Sequence, residues 1–532
     1  MRWTLLVLAG LALPAVAQAQ VDENALFGGA PAPVAVDAGG APPVTTTGNT
    51  DAGLPVMSPD EKQLFDQPNG QVGNAAPPDA GPPAPPQNPE QAGESAAFGG
   101  PGQVLPTARE VAPSNPLTIG GTLFLRAQLT GYQDQPPKSW GWDEPNLMDV
   151  YLDARPNSRV RALAVGRLTY DPAVDPNAIS FGGTKQNQVN TYLDQLWINF
   201  DILREVFVTA GKQHVKWGTG HIWNPTDFLQ PVKLNPLDII DQRTGVTLVK
   251  AHVPWESRGW NFYGFGVFEG PQVVNTLSQV GGALRAQVVL GDAELSFSGL
   301  FQHGRKPRLG ADISTGLGPF DVYAEAGFHG AEQSQLVAGL GGNDGQLCVS
   351  PSSLGLTGTD LPRCVLLPYS YQTQTGILPQ VSAGGTWQVN LNDRDALTVG
   401  LEGFYNQAGT NDATTYPVLV LTGNFVPFYV GKWYGAVYGT ASMPRGTVVH
   451  SLSTTTLGNL SDESFVSRLD YNVTILTHLG LDLYGDVHYG TQGGEFRFGI
   501  NTTAVPTGTG QIQQVRVPTP TFDAGVSLRV SM

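Results

Sequence analysis

From Leu117 onward, apolar and polar residues alternate with period two, the pattern of strands with two unlike faces. In the first segment Ile119, Gly121, Leu123, Leu125, Ala127 and Leu129 form one row, and Thr118, Gly120, Thr122, Phe124, Arg126 and Gln128 the other. Val381, Ala383, Gly385, Trp387 and Val389 oppose Ser382, Gly384, Thr386, Gln388 and Asn390 in the same way. Further on, Leu479, Leu481, Leu483, Val487 and Tyr489 oppose Gly480, Asp482, Tyr484, Asp486 and His488. Strands of soluble sandwiches usually run about five or six residues. These alternating rows reach roughly ten, the length of a tilted bilayer crossing.

The breaks between rows follow a second pattern, in which short turns alternate with longer connections. Turn signals fall near Pro156-Asn157-Ser158, Asp201 to Arg204, Trp255 to Arg258, Gly291-Asp292 and Gly316 to Pro319. They continue near Leu391 to Arg394, Pro444-Arg445 and Leu476 to His478. The other connections are 133–146, 171–188, 216–243, 270–280, 304–308, 329–377, 408–429, 456–462 and 490–519, with only 304–308 and 456–462 compact. Short turns at one end and long loops at the other predict an all-β fold: a closed antiparallel transmembrane β-barrel of about 18 (16–18) strands over 116–532. An even count puts both termini on the periplasmic side.

Composition agrees with this and adds two segments ahead of the barrel. Charged residues make up only 14% of the 532, against about 25% in soluble proteins, as expected where half of each strand meets lipid. No stretch after the N-terminus reaches the ~20 apolar residues of a membrane helix. Residues 1–19 read as a signal peptide: Arg2, an apolar run from Leu5 to Val16, then Ala17-Gln18-Ala19. Residues 20–115, rich in Pro, Ala, Gly and Asp, read as a disordered acidic periplasmic tail holding roughly half of the net charge of −16. Within it, Glu23 to Gly29 is echoed by Glu94 to Gly100, so the motifs around Phe27 and Phe98 are candidate docking points for a periplasmic partner. The alternative is a coincidence of Gly/Ala-rich composition.

The last strand sets Phe522, Ala524, Val526, Leu528, Val530 and Met532 against Asp523, Ser527, Arg529 and Ser531. It resembles the C-terminal strand that outer-membrane proteins present to the barrel assembly machinery. Those proteins usually end in an aromatic residue, and Met532 departs from that.

Candidate chemistry gathers in the segment Gly211 to Arg243, which contains the third long connection, 216–243. The other loops suit water, but this one carries Trp217, Trp223, Phe228, Leu229, Ile239 and Ile240, which burial inside the lumen would shield. Its G-K-Q-x-x-x-W-G-x-G-x-x-W-N-P-T-D run looks like one that recurs in Gram-negative porin-like barrels, whose third loop bends into the pore. The resemblance covers about 117–532 and implies a pore constriction built from Lys212, His214, Lys216, Trp217, His221, Trp223, Phe228 and Lys233. The inward rows supply lumen charges: Arg126, Asp149, Asp153, Arg161, Arg167, Lys212, Lys250 and Arg285 early, Glu294, Glu402, Arg468, Asp470, Asp482, Asp486, Asp523 and Arg529 late. Basic early strands and acidic late ones would set a field across the pore; the alternative is lumen polarity without direction.

These features lead to an outer-membrane channel for polar solutes, with outer-membrane lipid and the assembly machinery as partners. Two alternatives stand beside it, a polysaccharide export barrel served by periplasmic partners and a plugged structural or adhesive barrel. Gly218 and Gly220 give only G-x-G, so no nucleotide or nucleic-acid role is expected. With no G-x-S-x-G, no enzyme is expected. No cofactor is expected, and no metal either, since His214, His221 and Asp227 lack ligand spacing. Cys348 and Cys364, sixteen positions apart in a polar loop of an exported chain, are expected to form a disulfide, with free thiols the alternative.

Overall fold

The alternating rows become strands because each can give one face to lipid and the other to a polar interior, with every backbone group paired sideways. The computed structural model describes residues 116–531 apart from 175–186, 231–232, 234, 239, 269–279, 304, 331–333, 339–345, 350–362, 367–368, 374–375, 393–394, 422–424, 446–447, 476–477 and 507–511. The expected signal peptide, the tail with Phe27 and Phe98, and Met532 lie outside the described residues.

Eighteen strands form the wall. The first half comprises β1 (Leu117–Tyr132), β2 (Asn146–Asn157), β3 (Val160–Tyr170), β4 (Val189–Ile202), β5 (Val206–Gln213), β6 (Val246–Trp255), β7 (Trp260–Val267), β8 (Gly281–Leu290) and β9 (Ala293–Gln302). The second half comprises β10 (Arg308–Leu317), β11 (Phe320–Gly330), β12 (Ile377–Asn390), β13 (Ala396–Asn406), β14 (Trp433–Arg445), β15 (Val448–Asn459), β16 (Ser464–Ile475), β17 (Leu479–Gly490) and β18 (Pro520–Ser531). Each pairs antiparallel with its successor, and β18 closes on β1 from Thr122↔Ser531 to Thr130↔Asp523. A three-residue piece, Gly141–Asp143, adds to the outer end of β1. The expected upper count therefore holds, and all eight predicted turns join consecutive strands. Gly291 and Gly318 sit at φ 64° and 66° in two of them, where a side chain would be strained.

The outward rows are apolar and exposed, as Ile119, Leu125, Ile198, Leu284, Leu401 and Leu469 illustrate. Exposed aromatics mark both margins of this band. Trp142, Tyr170, Phe301, Phe328, Trp433 and Tyr489 lie at the loop end, and Trp255, Phe320 and Trp387 at the turn end. An aliphatic belt between two aromatic girdles is the surface that lipid and its headgroups cover. The buried residues lie inside the barrel, where they include Arg126, Asp153, Arg167, Arg285, Glu325, Glu402, Arg468 and Asp482.

Candidate functional site: a loop pinned across the lumen

Between β5 and β6 the chain leaves the wall, and the described residues of 214–245 run through the interior. Apolar anchors hold it at three places. Trp217 packs edge-on against Phe265 of β7 at 5.3 Å and beneath the Arg285 guanidinium of β8 at 5.8 Å. Trp223, fully buried, stacks on Phe404 of β13 at 5.5 Å and lies 5.6 Å from Tyr434 of β14. Ile240 joins Phe124 and Leu147 of β1 and β2. β14 stands nine strands from β5, half the circumference, so the loop spans the full width of the barrel. Burying each large side chain contributes about 1.5–3 kcal/mol to holding that path.

Two wall carboxylates fix the backbone between these anchors. Glu325 of β11 accepts from the amides of Thr219 at 2.8 Å, Gly220 at 3.4 Å and Thr226 at 3.3 Å. Glu402 of β13 accepts from His221 at 2.9 Å, Ile222 at 3.1 Å and Trp223 at 2.8 Å. Tyr323 also donates to Glu402, at 2.6 Å, and Ser382 donates to the Trp223 carbonyl at 3.0 Å. A buried carboxylate needs several donors to replace its water. Here a loop supplies them through consecutive peptide groups. Gly218 follows from this geometry: it sits at φ 104°, and a Cβ there would collide with the Glu325 carboxylate. The G-x-G of the sequence is thus a packing requirement of the clamp.

The predicted constriction residues divide. Trp217, Trp223 and Phe228 are buried, with Phe228 edge-on to His329 at 5.3 Å. The His221 ring lies 5.1 Å from that of Tyr323 and 5.6 Å from that of Tyr438. His214 Nε2 is 2.9 Å from Asp194, which also accepts from the Gly245 amide, so one carboxylate gathers both ends of the loop. Lys216 is half-buried between Val215 and Trp217. Lys233 donates to the Asp227 carbonyl at 3.4 Å and lies over the Tyr429 ring at 5.2 Å; burial pushes its pKa down to about 8. Asp241, held low by its partner Arg243 against the cost of burial, gives its carbonyl to Arg167 at 3.0 Å. Lys212 is a correction. Thr209, Gly211 and Gln213 take the inward row of β5, so period two sends Lys212 outward, opposite the exposed Leu196.

The other lumen charges stand inward but largely in local pairs. Arg167 grips Asp149 at 2.7 and 2.8 Å, Arg161 grips Asp153 at 2.9 and 3.0 Å, Arg285 meets Asp312 at 3.1 Å, and Arg468 meets Asp470 at 2.8 Å. Asn472 donates to Asp482, and Lys250 lies on the inward row opposite Thr209. Neighbouring strands thus neutralise charges that the sequence alone sorted into opposed basic and acidic arcs. Sequence reasoning passed over Glu325, Asp194 and Asp312. Glu325 was accessible in principle, as the acid inside the alternating row Tyr323, Glu325, Gly327.

In the loop between β11 and β12, antiparallel register sets Cys348 opposite Cys364.

No family model and no curated protein matches the chain. Among solved structures it is similar to OccAB1 of Acinetobacter baumannii, at 9% identity and a TM-score of 0.45, covering 78% of this chain and 96% of that one. It is similar also to OccK9 (OpdG) of Pseudomonas aeruginosa, at 8% identity and a TM-score of 0.44 with 78% and 98% coverage. OmpT, an outer membrane protein of Vibrio cholerae, matches at 9% identity and a TM-score of 0.34, with 79% and 100% coverage.

Proposed function

We propose that the chain is an outer-membrane channel through which small polar solutes diffuse, with residues 214–245 forming the constriction. The observation that carries this reading is the loop's course across the lumen, clamped by Glu325 and Glu402. An eighteen-stranded barrel is too wide for wall side chains alone to fill. A segment crossing it therefore sets the bore, while the apolar belt and aromatic girdles set the membrane that the bore traverses. Polar groups on the loop, including Asp241, Arg243, Lys233 and His214, with Arg167 of the wall beside them, give a passing solute hydrogen bonds in exchange for lost hydration.

The test is electrical. Purified full-length protein in a planar bilayer should give stable ohmic steps, and proteoliposomes should swell in small sugars or amino acids. A folded barrel that stays silent in both would overturn the reading in favour of a plugged or partner-gated barrel.

A further inference from the structure

At the outer mouth, away from the loop clamp, Asp486 of β17 and Asp523 of β18 are direct cross-strand partners. Like charges placed opposite each other destabilise a sheet unless a cation lies between them. His488 is the third member, and one ligand atom from each of the three lies within 4.8 Å of the others. We propose that Asp486, His488 and Asp523 bind a divalent first-row transition ion of the Zn²⁺ class.

Three observations beyond the clustering support this. The first concerns the imidazole. His488 Nδ1 lies 2.8 Å from the Phe496 carbonyl, which can only accept, so Nδ1 carries the hydrogen. Unless the ring is a doubly protonated imidazolium donating to Asp523, that leaves the Nε2 lone pair 2.7 Å from the Asp523 carboxylate. Two acceptors at that distance require a positive charge between or beside them. An Nδ1–H held by a backbone carbonyl is also how metal-bound histidines are oriented.

The second is Asp486 itself. It is 7% exposed, and its Oδ1 has no hydrogen-bond partner among the described residues. An orphaned buried carboxylate oxygen is costly, and a metal ion would satisfy it. The third is local charge. The guanidinium beside the cluster, Arg468, serves Asp470 at 2.8 Å and Asp486 at 3.6 Å. Among the described residues, Asp523 takes only a neutral donor, Thr130, besides His488. With His488 neutral, as a metal ligand must be, three carboxylates stand against one guanidinium, a deficit that a divalent ion would balance.

One imidazole nitrogen and two carboxylate oxygens suit Zn²⁺ and its neighbours better than the all-oxygen cages of Ca²⁺ or Mg²⁺. His488 and Asp523 are half-buried, which leaves room for a water or solute ligand. Through the Phe496 carbonyl the ion would brace residues 491–499, whose Phe496 packs on Phe428 at 5.7 Å.

The experiment uses tag-free, full-length protein folded in detergent, titrated calorimetrically with Zn²⁺ at neutral pH. Saturable binding of one Zn²⁺ per chain is expected, weakened at least about tenfold in Asp486→Asn and in His488→Gln. Heat-modifiable gel migration reports whether each variant is folded. Should a variant not fold, Co²⁺ added to the wild-type chain provides the decision, because its visible absorption reports a nitrogen and oxygen ligand field. Absence of saturable binding by the wild type, or equal affinity in folded variants, would show that His488 is merely an imidazolium ion-paired with Asp523 and would overturn the proposal.

Discussion

Glu402 and Asp312 are both acids buried in the barrel wall, and they are satisfied in opposite ways. Asp312 of β10 is met by Arg285, two strands away on the same wall, through contacts of 3.1 Å. Glu402 has Tyr323 from the wall, and otherwise takes amide hydrogens of a loop that departs from the far side of the barrel. The first arrangement belongs to the wall and persists wherever the loop goes. The second exists only while the loop lies across the lumen. The wall is therefore self-sufficient over much of its circumference, and its buried acids depend on the loop at β11 and β13, and at β4 through Asp194.

This contrast can be broken most forcefully at the clamp. Replacing both Glu325 and Glu402 by Ala removes six loop contacts to carboxylates, each worth about 1.5–3 kcal/mol. The expected result is a several-fold larger and noisier single-channel conductance, with heat-modifiable migration retained. Asp312→Ala should act on the other term. It leaves Arg285 buried without its carboxylate and should cost about 3–5 kcal/mol of barrel stability. A lower temperature for the heat-modifiable transition, with conductance nearly unchanged, is the outcome that separates wall from loop.

The acid pairs were not legible in the sequence, whereas the wall was. Period-two rows such as Ile119 to Leu129 and turn residues such as Gly291-Asp292 are local signals, so strands, turns and the inward loop could all be read in advance. Partnership is not local. Arg167 meets Asp149 because strand register places them opposite each other, and Glu402 meets the Trp223 amide across 179 positions of sequence. Backbone donors leave no side-chain signature at all. Lys212 shows the remaining weakness: in a period-two element an error of one residue moves a side chain from lumen to lipid.

Smaller effects sharpen the picture of the loop. Lys233 lies outside the membrane-spanning strands, and burial lowers its pKa to about 8 from an ordinary 10.5. It should lose its charge as pH rises from about 7 to about 9, so any preference for anions should weaken over that range. Lys233→Gln should remove this step from reversal potentials measured in a salt gradient. The linkage runs the same way: between about 8 and 10.5 the unfolded chain binds more protons at this site, so its contribution to stability rises with pH. The smallest expected effect concerns Cys348 and Cys364. A disulfide between these opposed positions would restrain the loop by about 3 kcal/mol in the chain-entropy model. Unreduced protein should then resist thiol labelling, and reduction should leave conductance unchanged, because the clamp of Glu325 and Glu402 is made with residues 219–226.

The most direct measurement of the constriction is single-channel conductance of the full chain beside a variant lacking residues 219–236. That deletion removes every amide contacting Glu325 and Glu402, together with Trp223 and Phe228, while Trp217 and Ile240 remain. The clamped-loop account predicts a folded barrel, by heat-modifiable migration, with a distinctly larger conductance and weaker discrimination between ions. A folded deletion variant whose conductance and selectivity match those of the full chain would contradict it.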